Sequence, residues 1–516
     1  MSVDVPYVRN FVKELSPALL RAAAALNGFA PPPEDSFDYC ELGCGMGDTL
    51  VTLAAAYPRA RFVGVDLDPR HVASGRALAA RGRVANVRFL ELDFDDLDRE
   101  PWPDLDYVAA HGVLSWIAPS KVRRILDFAA ARLRPGGALT VSYNALPGWA
   151  ALEPLRRLMR DVSASAQGTS VDRARHGMAI ARLFADAGAE YFRSHPTARE
   201  MLDTVHDSGA TYAAHEYLGE HWHPMYFADV AAEMTRRELL FAGQLPLYLN
   251  FRDLVIPTHT RDLFGAMTSR LEFESLKDFA INELFRRDLY VKHGSRGETT
   301  AREYLDGTRF GTLVPADRVK REVHLRHHTL RFEGDFDALI ERLSRCAATL
   351  PELLAEPPFD QLGAQVTRDA VLRLLVGEQV APMRPGAHPS ADRYNQSVLE
   401  DSPPSTVRLV LASPVAGTGV TLSALDAVAL RALMHAAPER EAWLRRILTE
   451  RPLRMTQGER VVTDVDEQLR IIAAHIALFA GTSAAKLVEL GVIAHAGRAG
   501  DASDACDACD ACDAME

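Results

Sequence analysis

Over its first 150 residues the chain alternates short apolar runs with helix-patterned stretches, and that alternation admits few folds. Tyr39–Leu42 reads as a strand and "TLVTLAAAY" as the helix after it. "ARFVGVDL" is a buried strand, "PRHVASGRALAARG" a helix with Pro69 in its first turn, and "VRFLELDF" a third strand. "LDYVAAHGV", the helix "PSKVRRILDFAAARL", a turn at "RPGG" and the strand "ALTVSYN" continue the series. Such an order predicts an α/β protein with a parallel, doubly wound, Rossmann-like sheet. Ligands of such sheets lie beyond the carboxyl ends of the strands. Gly43–Gly47, Asp66, Asp93–Phe94 and His111 therefore share one rim.

The loop "YCELGCGMGDT" narrows the ligand. A P-loop needs Gly-Lys-Ser/Thr, and no lysine follows these glycines. The dinucleotide fingerprint needs glycine at position 48, where Asp48 stands and would oppose a pyrophosphate at the helix N-terminus. Gly43, Gly45 and Gly47, preceded by Glu41, instead tolerate a ligand carrying a positive charge and a free ammonium group. Asp66 and Leu67 close the second strand about 20 residues downstream, where a carboxylate can accept both ribose hydroxyls. Asp93 and Phe94 can take an adenine amino group and its ring. Sulfonium, amino acid, ribose and adenine together describe S-adenosylmethionine.

Composition bounds the rest. The 516 residues exceed one core, so about three domains are expected. Half of the net charge of −12 comes from six acids between Asp501 and Glu516, and the mild remainder gives no general attraction to nucleic acid. No apolar run reaches the ~18–20 residues of a membrane span, and "MSVDVPYVRN" lacks a signal-peptide layout. Six cysteines, three in the tail, make no disulfide framework, which suits a cytoplasmic protein.

The loop, Asp66 and Asp93 resemble the class I S-adenosylmethionine-dependent methyltransferases. That resemblance implies Glu41, Gly43, Cys44, Gly45 and Gly47 around the methionine moiety, Asp66 at the ribose and Asp93–Phe94 at the adenine. Further segments, "PYVRNFVKELSPALL", "HGVLSWI", "RPGGALTVSYNALPGW", "HEYLGEHWHPMYFADV" and "FRRDLYVKHG", resemble a narrower group. These are bacterial methyltransferases with a methyltransferase regulatory domain, among them the rickettsial-type lysine methyltransferases of outer-membrane proteins. The likeness covers roughly residues 5 to 295 and continues more weakly to about 495; "VKELSP" departs from an expected Thr-His-Pro. It implies methylation of lysine side chains on a protein.

Methyl transfer requires a lone pair aligned with the S–CH3 bond and exclusion of water. A lysine amine is roughly 0.1% neutral at physiological pH, so freeing it costs about 4 kcal/mol, which an apolar aromatic pocket offsets. The ends of strands four and five offer His111, Trp116, Tyr143, Asn144 and Trp149. His111 can contact the cofactor or act as a base. Trp116 and Trp149 can equally cover the sheet edge, and Asn144 with Pro147–Gly148 can be turn chemistry. The strand-four position reads His-Gly-Val rather than Asn-Pro-Pro-aromatic, which argues against a DNA adenine methyltransferase.

The organisation expected is a methyltransferase domain over 1–150 and a helical insertion over 151–212. The regulatory domain follows over 213–300 and could supply the last helix and strands six and seven of the sheet. Then come a helical, winged-helix-like unit over 301–385, a Pro/Ser/Asp-rich linker over 386–405, a winged-helix-like domain over 406–497 and a disordered acidic tail over 498–516. With acidic surroundings the winged-helix units fit protein docking better than DNA. "HEYLGEHWH" and "HLRHH" hold ligand types without a zinc spacing, so no metal is expected. Two other activities fit: methylation of a small molecule or glycan precursor, and a non-catalytic cofactor-binding regulator.

Overall fold

The computed structural model describes residues 9–386, 388–403, 406, 408–450, 453, 455–457 and 460–494. The expected acidic tail lies outside the described residues. The chain divides into two compact units, 1–387 with 414–419, and 388–413 with 420–516.

Seven strands of the first unit make one sheet: β1 (Asp38–Leu42), β2 (Arg61–Asp66), β3 (Val87–Glu91), β4 (Leu105–Ala110), β5 (Leu133–Asn144), β6 (Leu239–Gln244) and β7 (Phe285–Lys292). Their order is β3-β2-β1-β4-β5-β7-β6. β1 to β5 are parallel, as their helical crossovers require. β7 runs antiparallel to both neighbours, so the completed sheet is mixed. The winding reverses between β1 and β4, which opens the crevice above those two strands.

Helices α1 (Pro17–Leu26), α2 (Asp48–Ala56), α3 (Pro69–Gly82) and α4 (Pro119–Arg132) belong to this layer. Local chemistry sets their starts: Pro69 occupies the first turn of α3, and the Asp68 side chain caps it by accepting from the Arg70 amide. One core joins β4 and β5 (Val108, Leu139, Val141) and α4 (Ile125, Phe128) to Phe227, Met234, Phe241 and Tyr290. Residues beyond 226 thus share the core of the first 150.

Between β5 and β6 lie α5 (Glu153–Ala164), α6 (Ser170–Asp186), α7 (Glu190–Ser194), α8 (Pro196–Ser208), α9 (Ala210–Tyr217) and α10 (Phe227–Thr235). α5 to α9 have their own core, built on Leu155, Met159, Met178, Phe192, Leu202 and Tyr217. A capping box between Thr169 and Asp172 starts α6.

The remainder of the first unit carries helices and two small antiparallel pairs, Arg309–Gly311 with Ala381–Met383 and Glu322–His324 with Thr329–Arg331. "HLRHH" runs from the second pair into its turn, where His328 Nε2 lies 2.9 Å from the Ile256 carbonyl.

In the second unit the expected linker is corrected. Residues Asp392–Asp401 form a helix, and its buried Asn395 donates to the carbonyls of Ala412 and Val492 while accepting from the Ala412 amide. The helix was masked in sequence by its polar outer face; only Tyr394, Asn395 and Leu399 turn inward. No single helix among the described residues is long and apolar enough to cross a membrane.

Candidate functional site

The glycine loop joins β1 to α2 and is pinned to β2. The amides of Gly43 and Cys44 donate to the Val65 carbonyl at 2.8 and 3.0 Å. The Gly45 amide donates to Asp66 Oδ2 at 2.8 Å. At Gly47 a Cβ would lie 2.9 Å from Gly75 Cα and from the Phe89 ring, so α2 and α3 approach each other through glycine. Gly45 faces open space, with nothing within 4 Å of where its Cβ would be.

Two acids flank the loop and differ in kind. Asp48 accepts from Arg9 at 2.8 Å. Glu41 is 5% exposed, and its buried Oε2 has no hydrogen-bond partner. Burial, reinforced by Asp66, pushes the Glu41 carboxyl up to about 8. An acid held out of water with one oxygen bare is suited to a cationic ligand.

Asp66 also receives the Asp68 amide at 2.9 Å and lies 3.2 Å from His71 Nδ1. It therefore braces the loop as well as facing the rim. Leu67, next along, is 63% exposed. Asp93 departs from the simple sequence reading: Lys121 of α4 donates to both its oxygens, and the Asp95 amide adds a third bond. Burial opposes ionisation there, yet the Asp95 amide and Lys121 hold the carboxyl below its usual range. Phe94 is half-buried against the sheet core.

The ends of β4, β5 and β7 are ordered by strand register. Glu41 aligns with Ala109, Ala109 with Thr140, and Thr140 with Leu289. Further toward the rim Ser142 aligns with Arg287, and Asn144 with Phe285. Side chains alternate along a strand, so Glu41, Ser142, Asn144, Phe285 and Arg287 share one face. His111, just past β4, meets Phe285 edge-on at 5.9 Å between ring centroids. Burial, and then Arg287, lower the His111 imidazole to about 3 and keep it uncharged.

The same alternation corrects Tyr143. It lies on the opposite face, fully buried, and donates its hydroxyl to Asp288 at 2.6 Å. It belongs to the core, where a lone aromatic at a strand end cannot be told from a rim residue by sequence. Asn144 stays at the rim, 6% exposed, with its Nδ2 buried and unpartnered.

Three segments are laced together beside these strand ends. The Asn144 amide donates to Ser115 Oγ, the His223 amide to the Ser115 carbonyl, and the Met225 amide to the Asn144 carbonyl. "HEYLGEHWH" thereby becomes part of the rim. Trp116, half-buried, lies against Gly219. Trp149 packs edge-on to Trp222 at 5.0 Å and lies 6.3 Å from the Tyr217 ring, joining the helical core rather than standing alone. Sequence reading missed Ser115, Arg156, Trp222 and Arg287. Nothing in "LEPLRRLMRD" separates Arg156 from the exposed Arg157 and half-buried Arg160 beside it. Among the described residues no three His, Cys, Asp or Glu side chains gather as metal ligands would.

Comparison with known proteins matches residues 40–139 to the family described as "methyltransferase domain" and residues 209–292 to the "predicted methyltransferase regulatory domain". An uncharacterized protein of Synechocystis sp. is 29% identical over 83% of this chain and 87% of its own length. An uncharacterized protein of Rickettsia prowazekii is 32% identical over 42% of this chain and 86% of its own length. The structure of PKMT2 from Rickettsia typhi in complex with AdoHcy superposes with a TM-score of 0.70, at 18% identity, over 95% of this chain and 99% of that one.

Proposed function

The chain belongs to the class I S-adenosylmethionine-dependent methyltransferases that carry a methyltransferase regulatory domain, and on that premise we propose that it methylates lysine side chains of a protein. S-adenosylmethionine is its cofactor. When bound, it supplies a methyl group on a sulfonium, open to attack by a neutral nucleophile.

The residues present fit that group. The unpartnered Glu41 oxygen suits the ammonium of the methionine moiety, with Gly43, Cys44 and Gly47 shaping the loop and Gly45 leaving room beside it. Asp66 suits the ribose, the exposed Leu67 and half-buried Phe94 suit the faces of the adenine, and Asp93 its amino group. Residues 1–150 and 213–300 act as one catalytic domain in this reading, with 151–212 as its insertion. The units over 301–385 and 406–497 dock protein.

One observation carries the amine acceptor. On the face beyond Glu41, His111 is uncharged, and its neighbour Arg287 makes no ion pair among the described residues. A positive field in a partly dry site favours the neutral form of an entering amine, which supplies the lone pair. The half-buried Trp116 and Trp222 add aromatic surface, which attracts the methylated cation afterwards. The uncharged His111 can accept a hydrogen bond from the amine; a bound amine can also lose its proton to water.

The test is incubation of the purified protein with radiolabelled S-adenosylmethionine and a lysate of its own cells, followed by hydrolysis. Label recovered as methyl-lysine in discrete protein bands is the expected outcome. Label confined to small molecules would replace protein by a metabolite or glycan precursor. Tight cofactor binding with no transfer would leave a regulator.

A further inference from the structure

One buried cation on the acceptor side makes no ion pair among the described residues. It is Arg156, on α5, 4% exposed. Its Nη2 donates to the Gly219 carbonyl at 2.7 Å, and its guanidinium lies 4.6 Å from the Trp222 ring centroid. Its Nε is buried without an acceptor. Nε and Nη2 are the two donors of the fork that grips a carboxylate with parallel bonds, and here one prong is empty.

Burial, and then Arg160, lower the Arg156 guanidinium to about 10, against a smaller opposing pull from Glu153 and Tyr217. Leaving a charge in this condition is unfavourable unless a ligand completes it. The Trp222 face compensates in part. Two more buried donors lack acceptors in the same laced segments, Trp222 Nε1 and Asn144 Nδ2. Donors of hydrogen bonds, rather than acceptors, are what this side leaves unmet. Gly219 ties the group to the rim, because its carbonyl accepts from Arg156 and a Cβ on it would lie 3.8 Å from the Trp116 ring.

We propose that Arg156 is the anchor of an anion subsite, which receives a carboxylate carried by the methyl acceptor close to the methylated nitrogen. The inference rests on the lysine reading above, and there the carboxylate is an Asp or Glu side chain flanking the target lysine. The acceptor is then an acidic-flanked lysine segment, selected by its neighbour as much as by its amine. The carboxylate fills the empty Nε prong and competes with the Gly219 carbonyl for Nη2.

The experiment uses the full chain and pairs of lysine peptides that differ only in Glu against Gln beside the lysine. The wild type is expected to favour the Glu member by about 10-fold or more in kcat/KM. Arg156→Met should abolish that preference, and Arg156→Lys, which keeps the charge but not the fork, should retain only part of it. Cooperative melting and S-adenosylmethionine affinity, measured on each variant, establish that it is folded; if Arg156→Met is not, the partial loss in Arg156→Lys decides. Equal use of Glu and Gln peptides by the wild type overturns the proposal while leaving lysine methylation standing. So does a full preference retained in either variant. If neither peptide is methylated, small di- and tricarboxylic acids are offered. Their Arg156-dependent methylation keeps the anion subsite and removes the protein reading, whereas no methylation removes both.

Discussion

β7 and β1 both carry ionisable groups out of reach of solvent, and they treat them in opposite ways. On β7, Arg286 donates to Asp288, to Asp278 at 2.5 Å and to Glu274 at 2.8 Å, all in one buried cluster. Lys277 adds bonds to Glu274 and Gln244, and Tyr143 closes the cluster on Asp288. On β1, Glu41 keeps one oxygen bare. Each acid of the cluster has a cation beside it, although Glu274 Oε1 and Asp278 Oδ2 make no hydrogen bond; Glu41 makes no ion pair among the described residues and keeps its proton below about pH 8. A partnered group holds the sheet together, whereas one without a partner is open to a ligand. Arg156 falls on the same side of that division as Glu41.

The largest effect should come from breaking the paired cluster. Arg286→Met removes a cation from three buried carboxylates and leaves Asp278 with no ion pair, so it should destabilise the protein by about 3–5 kcal/mol, read as loss of cooperative unfolding or a strongly lowered denaturation midpoint. A change within about 0.5 kcal/mol would mean that the cluster is not structural. Asp66→Ala comes next. It leaves the Gly45 and Asp68 amides without their acceptor, and cofactor affinity measured by calorimetry should fall on the order of 100-fold.

Glu41→Gln sharpens the contrast through pH. The folded carboxyl titrates at about 8 against an ordinary 4.5, so the folded chain holds the proton that the unfolded chain gives up. Stability of the cofactor-free protein should therefore fall as pH rises from 4.5 to 8 and then level off. The Gln variant should flatten that slope and weaken cofactor binding about 10-fold. An ammonium seated beside Glu41 would also ionise it, so binding near pH 7 should release a proton, seen as a binding enthalpy that varies with the ionisation enthalpy of the buffer. The variant should lose this dependence.

The smallest effect is expected at His111. With its imidazole already uncharged, the pH–rate profile should have no inflection between about pH 5 and 8 from this group, and His111→Gln should lower kcat by less than about 10-fold. A drop of 100-fold or more would make it an essential base.

Much of this was legible in sequence because it follows local rules. Strand and helix periods alone put Gly43–Gly47, Asp66 and Asp93 on one rim, since a βα unit fixes where its loop goes. What escaped depended on contacts between distant segments. Tyr143 and Asn144 are neighbours in sequence on opposite faces of β5, and only the contact of Tyr143 with Asp288 on β7 tells which of the two faces the core cluster. Lys121 finds Asp93 from another helix. Residues 386–405 read as a linker because the helix within them, Asp392–Asp401, buries only three side chains. Arg156 is one arginine among several until folding removes its solvent.

The position of β7 has a consequence for the order in which the protein is made. β7 lies between β5 and β6 although it is synthesised last of the seven, 140 residues after β5 ends. Until residue 292 has emerged, β5 presents an open edge, and Tyr143 lacks the acid it donates to. The glycine loop is complete early in translation, but the sheet beneath the acceptor rim must wait for the regulatory segment. Such a chain acquires its cofactor loop and its finished catalytic sheet at different times, so a fragment ending near residue 150 would be a nascent intermediate rather than a smaller enzyme.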